Sequence, residues 1–162
     1  MSILFVKLIG CVTMLSAAAT LTVSYKKSLD CIRFSAGDFL KFVRFAQNAV
    51  KYRSLPITRI LEEYAEEARD VFKDFYYLSS KTSLAEALFT RRDLDEKTRS
   101  IMLAFSAEFG HGYADAEISL CELISARLSE HCALLDETAS KKSAVFASAV
   151  AFVSVSLILL LI

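Results

Sequence analysis

The chain has 162 residues, room for one domain or for one small domain with membrane segments. Nineteen Lys and Arg balance nineteen Asp and Glu; a binder of the phosphate backbone needs a basic surplus to release counterions, so nucleic acid is not an expected partner. One Pro and four Gly argue against a turn-rich β fold and for long helices.

Charge divides the chain into three parts. Of 38 charged side chains, 37 lie between Lys26 and Lys142. Residues Ser2–Tyr25 before them carry only Lys7, and form a helix long enough to cross about 30 Å of hydrocarbon. Lys7 lies near the start, where its stem can snorkel to the interface. A cleaved secretory signal competes for this segment, through Lys7, the short apolar run and Ala17–Ala19, and Leu8-Ile9-Gly10-Cys11 loosely matches a lipoprotein cleavage box. Lys7 directly precedes that box and leaves no apolar stretch before it, while Lys26 and Lys27 oppose export. The uncleaved anchor is therefore the leading reading.

From Leu29 to Arg53, Ile32, Ala36, Phe39, Val43, Ala46 and Val50 recur at helical spacing. A second stripe of Phe34, Phe42, Phe45, Ala49 and Tyr52 widens the apolar face, as in a helix central to its own bundle or one that also meets another protein. Ser54-Leu55-Pro56 interrupts the chain, with Pro in the first turn of the next helix. The spacing predicts that helix as one amphipathic element over Ile57–Leu78. Its apolar face is Ile60, Leu61, Tyr64, Ala68, Val71, Phe72 and Phe75. Its polar face holds Glu62, Glu63, Glu66 and Glu67 together with Arg59, Asp70, Lys73 and Asp74. Without a His these acids suit a solvated or partner-facing surface better than a metal or acid–base site.

Ser83-Leu84-Ala85-Glu86 is a capping box that opens a short helix to Phe89. Asp93-Leu94-Asp95-Glu96 repeats the logic and opens another, carried by Leu94, Ile101, Phe105 and Phe109 and ended by Gly110. The last helix begins near Tyr113 or Asp115 and has no stop before the C-terminus. Ile118, Cys121, Leu128, Cys132, Leu135 and Ala139 form its stripe, and Ala144–Ile162, 19 residues without a charge, form a second membrane segment. Lys26 and Lys27 end the first apolar segment, and Lys141 and Lys142 begin the last, so the positive-inside rule places the middle in the cytoplasm.

The residues give no sign of catalysis. His111 and His131 are far apart, and His131 with Cys132 point about 100° from each other on a helix. Gly110-His111-Gly112 lacks the Lys and the preceding strand of a phosphate loop. Cys121 and Cys132 are 11 residues apart, roughly 16 Å along a helix, so they do not bridge, and the cysteines read as small buried hydrophobes.

The layout resembles the stage III sporulation protein AB family of endospore-forming bacteria. Leu55-Pro56-Ile57 stands where that family breaks before a long helix, and Ser83-Leu84-Ala85-Glu86-Ala87-Leu88 is similar to its helix opening. Phe105-Ser106-Ala107-Glu108-Phe109-Gly110 approximates a family stretch that leads to an Asp, here Asp115, although the family's following Gln is Ser119. Lys142-Ser143 precedes the final segment as in the family. The resemblance implies a part of the channel-like complex between mother cell and forespore. It implies a helical domain similar to the cytoplasmic domain of type II secretion F-type platform proteins, and the ATPase encoded with the family as partner.

The expectation is thus an all-α protein with transmembrane helices at residues 2–25 and 144–162 and a cytoplasmic helical bundle at 26–142. It acts as a non-enzymatic scaffold in the cell membrane, without cofactor or metal. The candidate partner contacts are Glu62, Glu63, Glu66, Glu67, Phe34, Phe42 and Phe45. Small residues in both apolar segments permit close helix contact and homo-oligomers. Two rival readings are a small membrane sensor or regulator with a ligand-binding bundle, and an exported domain anchored only at its C-terminus.

Overall fold

The computed structural model describes the backbone of residues 2–161 apart from 92 and 93, and the side chains of these residues other than 2–9, 11, 14, 15, 70, 71 and 157–161. It is all-α, with no strand among the described residues. In chain order the helices are α1 Ser2–Arg53, α2 Ile57–Glu67, α3 Asp70–Lys81, α4 Leu84–Thr90, α5 Glu96–Glu108 and α6 Ala114–Leu161. No Gly or Pro separates the first apolar segment from the amphipathic stripe, and α1 runs through both. The chain forms two compact units, Met1–Cys31 with Leu135–Ile162, and Ile32–Leu134.

In the unit Ile32–Leu134 the core forms around α1. Ala36, Phe39, Val43, Ala46 and Val50 are buried as the spacing predicts, and Phe42 and Ala49 of the second stripe join them. Phe34 and Tyr52 of that stripe stay exposed. The core continues through Leu84 and Leu88 of α4, Met102 and Phe105 of α5, and Cys121, Ile124 and Leu128 of α6. Phe42 meets the Tyr64, Tyr76 and Phe105 rings at centroid distances of 5.3, 5.0 and 6.1 Å. Each such side chain, fully buried, contributes about 1.5–3 kcal/mol of transfer free energy.

The connections obey local chemistry. Ser54 ends α1 at φ 48°, a left-handed conformation that a glycine would adopt more readily. Pro56 then precedes α2 with the extended backbone its ring favours. Ser83 Oγ accepts from the Glu86 N–H at 3.1 Å, the first half of the expected capping box. Asp95 caps α5 by accepting from Thr98 N–H at 3.1 Å; its companion in the predicted signal, Asp93, lies outside the described residues. Gly110, at φ +95°, comes just after the end of α5. The Glu117 carboxylate accepts from the Gly110 and Gly112 N–H groups at 3.1 and 3.3 Å, so the amides of this turn hold a side chain of the protein itself.

One predicted helix is in fact two. The sequence 57–78 contains neither Gly nor Pro, yet Ala68 and Arg69 adopt extended conformations, with ψ of 154° and 148°, and separate α2 from α3. On a straight helix Tyr64 and Tyr76 would stand about 18 Å apart along the axis. Their ring centroids are 4.8 Å apart, because α3 folds back on α2. The rings pack around one buried carboxylate on α1, a long-range contact that outweighs the local preference for a continuous helix.

In the unit Met1–Cys31 with Leu135–Ile162, Tyr25 stacks on Phe146 at 4.3 Å. Ala17, Ala18, Ala149 and Val150 help to line a shallow groove of about 350 Å³. Hydroxyls here bond within their own helix, as Thr22 does to the Ala18 carbonyl at 2.9 Å and Ser154 to that of Val150 at 2.7 Å. Val12, Val23, Val145 and Phe152 are more than half exposed. Among the described residues no helix is long and apolar enough to cross a membrane. The side chains of 2–9 and 157–162, which belong to the two expected spans, lie outside the described residues.

Phe42→Ala should lower stability by about 3–5 kcal/mol, whereas Phe34→Ala should change it by less than about 1 kcal/mol. Urea midpoints of the detergent-solubilised chain compare the two, and equal shifts would contradict this division between core and surface.

Candidate interaction site

Glu62, Glu63, Glu66 and Glu67 all lie on the outer side of α2, with Glu66 and Glu67 exposed. Two are held by neighbouring cations. Arg53 reaches Glu63 at 2.6 Å, and Arg59 reaches Glu62 at 3.4 Å. Both pairs are largely solvated, so each contributes at most about 1 kcal/mol. The reversal of direction at Ala68–Arg69 brings α3 alongside. The result is an open groove of about 660 Å³ lined by Glu62, Ala65, Glu66, Lys73, Asp74 and Tyr77. Three carboxylates therefore share one concave surface with a half-exposed phenol ring, whereas Glu63 and Glu67 lie outside the groove lining.

The three phenylalanines separate. Phe34 is exposed and lies under the Arg69 guanidinium at 5.2 Å. Phe45 is half-buried, against Tyr64 at 5.3 Å and beneath Arg53 at 5.7 Å. Phe42 is a correction: it is fully buried in the aromatic core and offers no surface to a partner. The cysteines also separate. Cys121 is a core residue whose thiol is pushed up to about 12 by burial, with Glu117 and Glu122 adding to the effect. Cys31, read from the sequence as buried, is exposed.

Sequence reasoning passed over two buried carboxylates. Asp38 interrupts the apolar stripe of α1 between Ala36 and Phe39 and is 8% exposed. Tyr76 Oη donates to its Oδ2 at 2.7 Å, and Tyr64 Oη lies 3.4 Å from its Oδ1 and 3.2 Å from its backbone carbonyl. Burial raises the Asp38 carboxyl above its ordinary value, although both phenols and the nearby Lys41 and Arg91 charges oppose the shift. Both phenols are pushed well up, first by burial and then by the Asp38 charge. A lone acid at a core position was the available signal. Asp95 is the second case: besides capping α5 it stands 2.8 Å from Nε2 of the buried His131 on α6, a pairing across 36 residues that spacing does not reveal. Among the described residues, no three His, Cys, Asp or Glu side chains converge as a metal ion would require.

The model of the family described as stage III sporulation protein AB matches residues 7–162. The chain belongs to the stage III sporulation protein AB family. The match takes in Leu55-Pro56-Ile57, the α4 opening at Ser83 and the Phe105–Gly110 stretch. No curated protein and no solved structure matches the chain.

In this member of the stage III sporulation protein AB family the two carboxylates respond to pH in opposite senses. Burial pushes the Asp95 carboxyl up, but hydrogen bonds from Thr98 and His131 outweigh it and hold the group below its ordinary 3.8. Its stabilising contribution is therefore complete above the unfolded-state value and is lost as pH falls through the lower folded one. Asp38, raised by burial, works against stability as pH climbs from the ordinary value through the folded one. Asn caps helices as well as Asp does, so Asp95→Asn isolates the charge. Between about pH 7 and pH 3 the urea midpoint of the wild type should fall more steeply than that of Asp95→Asn, and parallel curves would remove Asp95 from the acid response.

Proposed function

We infer that this protein is a non-enzymatic membrane scaffold of the sporulation channel between mother cell and forespore. Its unit Ile32–Leu134 docks a secretion-type ATPase from the cytoplasmic side. Family membership supports the sporulation role. The membrane part of the reading is supported by the uncharged run Ala144–Ile162, the nearly uncharged run Ser2–Tyr25, and the basic pairs Lys26-Lys27 and Lys141-Lys142 that flank them. Hydroxyls that bond within their own helices suit an apolar surrounding, where no water is present to accept them. Self-association through the small residues of the same segments is part of this reading.

The observation that carries the docking is the acidic groove of α2 and α3. Glu62, Glu66 and Asp74 converge on it, and the phenol of Tyr77 adds an exposed aromatic wall. A concave negative surface of this kind steers and orients a basic patch on a partner without any chemistry of its own. Glu63 and Glu67 extend the negative field around the rim, and Phe34 and Phe45 offer aromatic surface elsewhere on the unit.

Replacing Glu62, Glu63, Glu66 and Glu67 together by Lys should abolish co-purification of the ATPase of the same complex while the chain still inserts into membranes. Co-purification that survives the reversal would reject this surface as the docking site. Loss of insertion along with docking would instead point to a folding defect, which single reversals at the exposed Glu66 and Glu67 resolve.

A further inference from the structure

A second cleft in the unit Ile32–Leu134 has the opposite charge. It encloses about 220 Å³, and Arg33 and Lys41 of α1 line it together with Arg69 from the α2–α3 break. The one carboxylate in its lining is Asp38, whose two oxygens face the Tyr76 and Tyr64 hydroxyls. That acid is committed to the core and leaves the three cations uncompensated by it. Arg69 is further positioned over the exposed Phe34 ring, 5.2 Å from its centroid. Arg91 adds positive potential nearby: its guanidinium lies over Phe72, another lining residue, at 4.8 Å, and its charge acts on Asp38.

Gly37 keeps this cleft open. It lies inside α1, where glycine costs roughly 0.5–1 kcal/mol relative to Ala. A Cβ built at Gly37 would meet no heavy atom within 4 Å, and its φ is not in the left-handed region. Neither packing nor backbone conformation requires a glycine there, while any side chain would project into the cleft it lines.

The geometry points to a binding site for a phosphate group in the cleft of Arg33, Lys41 and Arg69. Two planar guanidinium forks and one ammonium match the several oxygens of a phosphate better than the two of a carboxylate. Phosphatidic acid in the adjoining membrane and soluble inorganic phosphate both present this chemistry. The site is separate from the acidic groove and does not depend on ATPase docking.

The test uses the full-length chain in phosphatidylcholine nanodiscs and reads the rate of amine acylation at Lys41 against that at the exposed Lys51. One arm titrates inorganic phosphate; the other replaces part of the phosphatidylcholine by phosphatidic acid. Selective protection of Lys41 is expected in one arm, and that arm identifies the source. Arg69→Gln should move the protection midpoint about tenfold higher, the value of one charge-assisted hydrogen bond. Gly37→Leu should remove protection while melting no lower than the wild type. No protection of Lys41 in either arm, or protection unchanged in both variants, overturns the site.

Discussion

Asp38 is the point on which the packing of the unit Ile32–Leu134 turns. A carboxylate among Ala36, Phe39 and Phe42 would be costly if left without partners. It persists because Tyr76 and Tyr64 bring hydroxyls to it from two different helices. Those hydroxyls in turn bring their rings into the core, where Tyr76 is fully buried against Phe42 and Phe75. Removing one phenol leaves a buried acceptor unmet, at a cost of about 1–3 kcal/mol. The acidic groove outside depends on the same arrangement, since its two walls are the outer sides of the helices whose inner sides meet Asp38.

Much of this architecture was legible in the sequence. Helical period identified Ala36, Phe39, Val43, Ala46 and Val50 as core, and the caps at Ser83 and Asp95 and the stop at Gly110 came from short-range chemistry with a fixed offset. The division of Ile57–Leu78 was not legible, because nothing local breaks the helix there and the cause lies on α1. The same limit applied to the groove. Glu62 and Glu66 were visible as a charged face, but their meeting with Asp74 and Tyr77 across a concave surface required knowing where α3 lies. Phe42 and Phe34 look alike by type and by stripe, and only the neighbours that cover one and leave the other bare distinguish them. The pairing of Asp95 with His131 and the approach of Arg69 to Arg33 and Lys41 are likewise products of tertiary placement.

Family membership and structure inform different levels of the function. The family establishes a role in sporulation, whereas the surface chemistry bears on how such a protein makes contacts. The unit Ile32–Leu134 carries an acidic groove and a basic cleft on a chain of zero formal charge. Opposite local fields on a neutral body give orientation without strong overall attraction, which suits a component that must hold specific neighbours in a crowded assembly. Neither surface interrupts the core, so partner contacts and stability are largely carried by different side chains.

The split between α2 and α3 also bears on the order in which this unit assembles. Residues 57–81 have no local instruction to reverse direction, so on their own they favour one continuous helix. Closing the hairpin against α1 requires Tyr76 to find Asp38 across 38 residues of chain. That loop-closure entropy is spent before the buried hydrogen bonds and aromatic contacts form. The hairpin is then a late, cooperative event that waits for α1 to present its carboxylate, and local and global preferences conflict until it closes. An unclosed chain would expose Tyr64, Phe72, Phe75 and Tyr76 together, which makes the interval before closure the time when the nascent protein is most prone to aggregate.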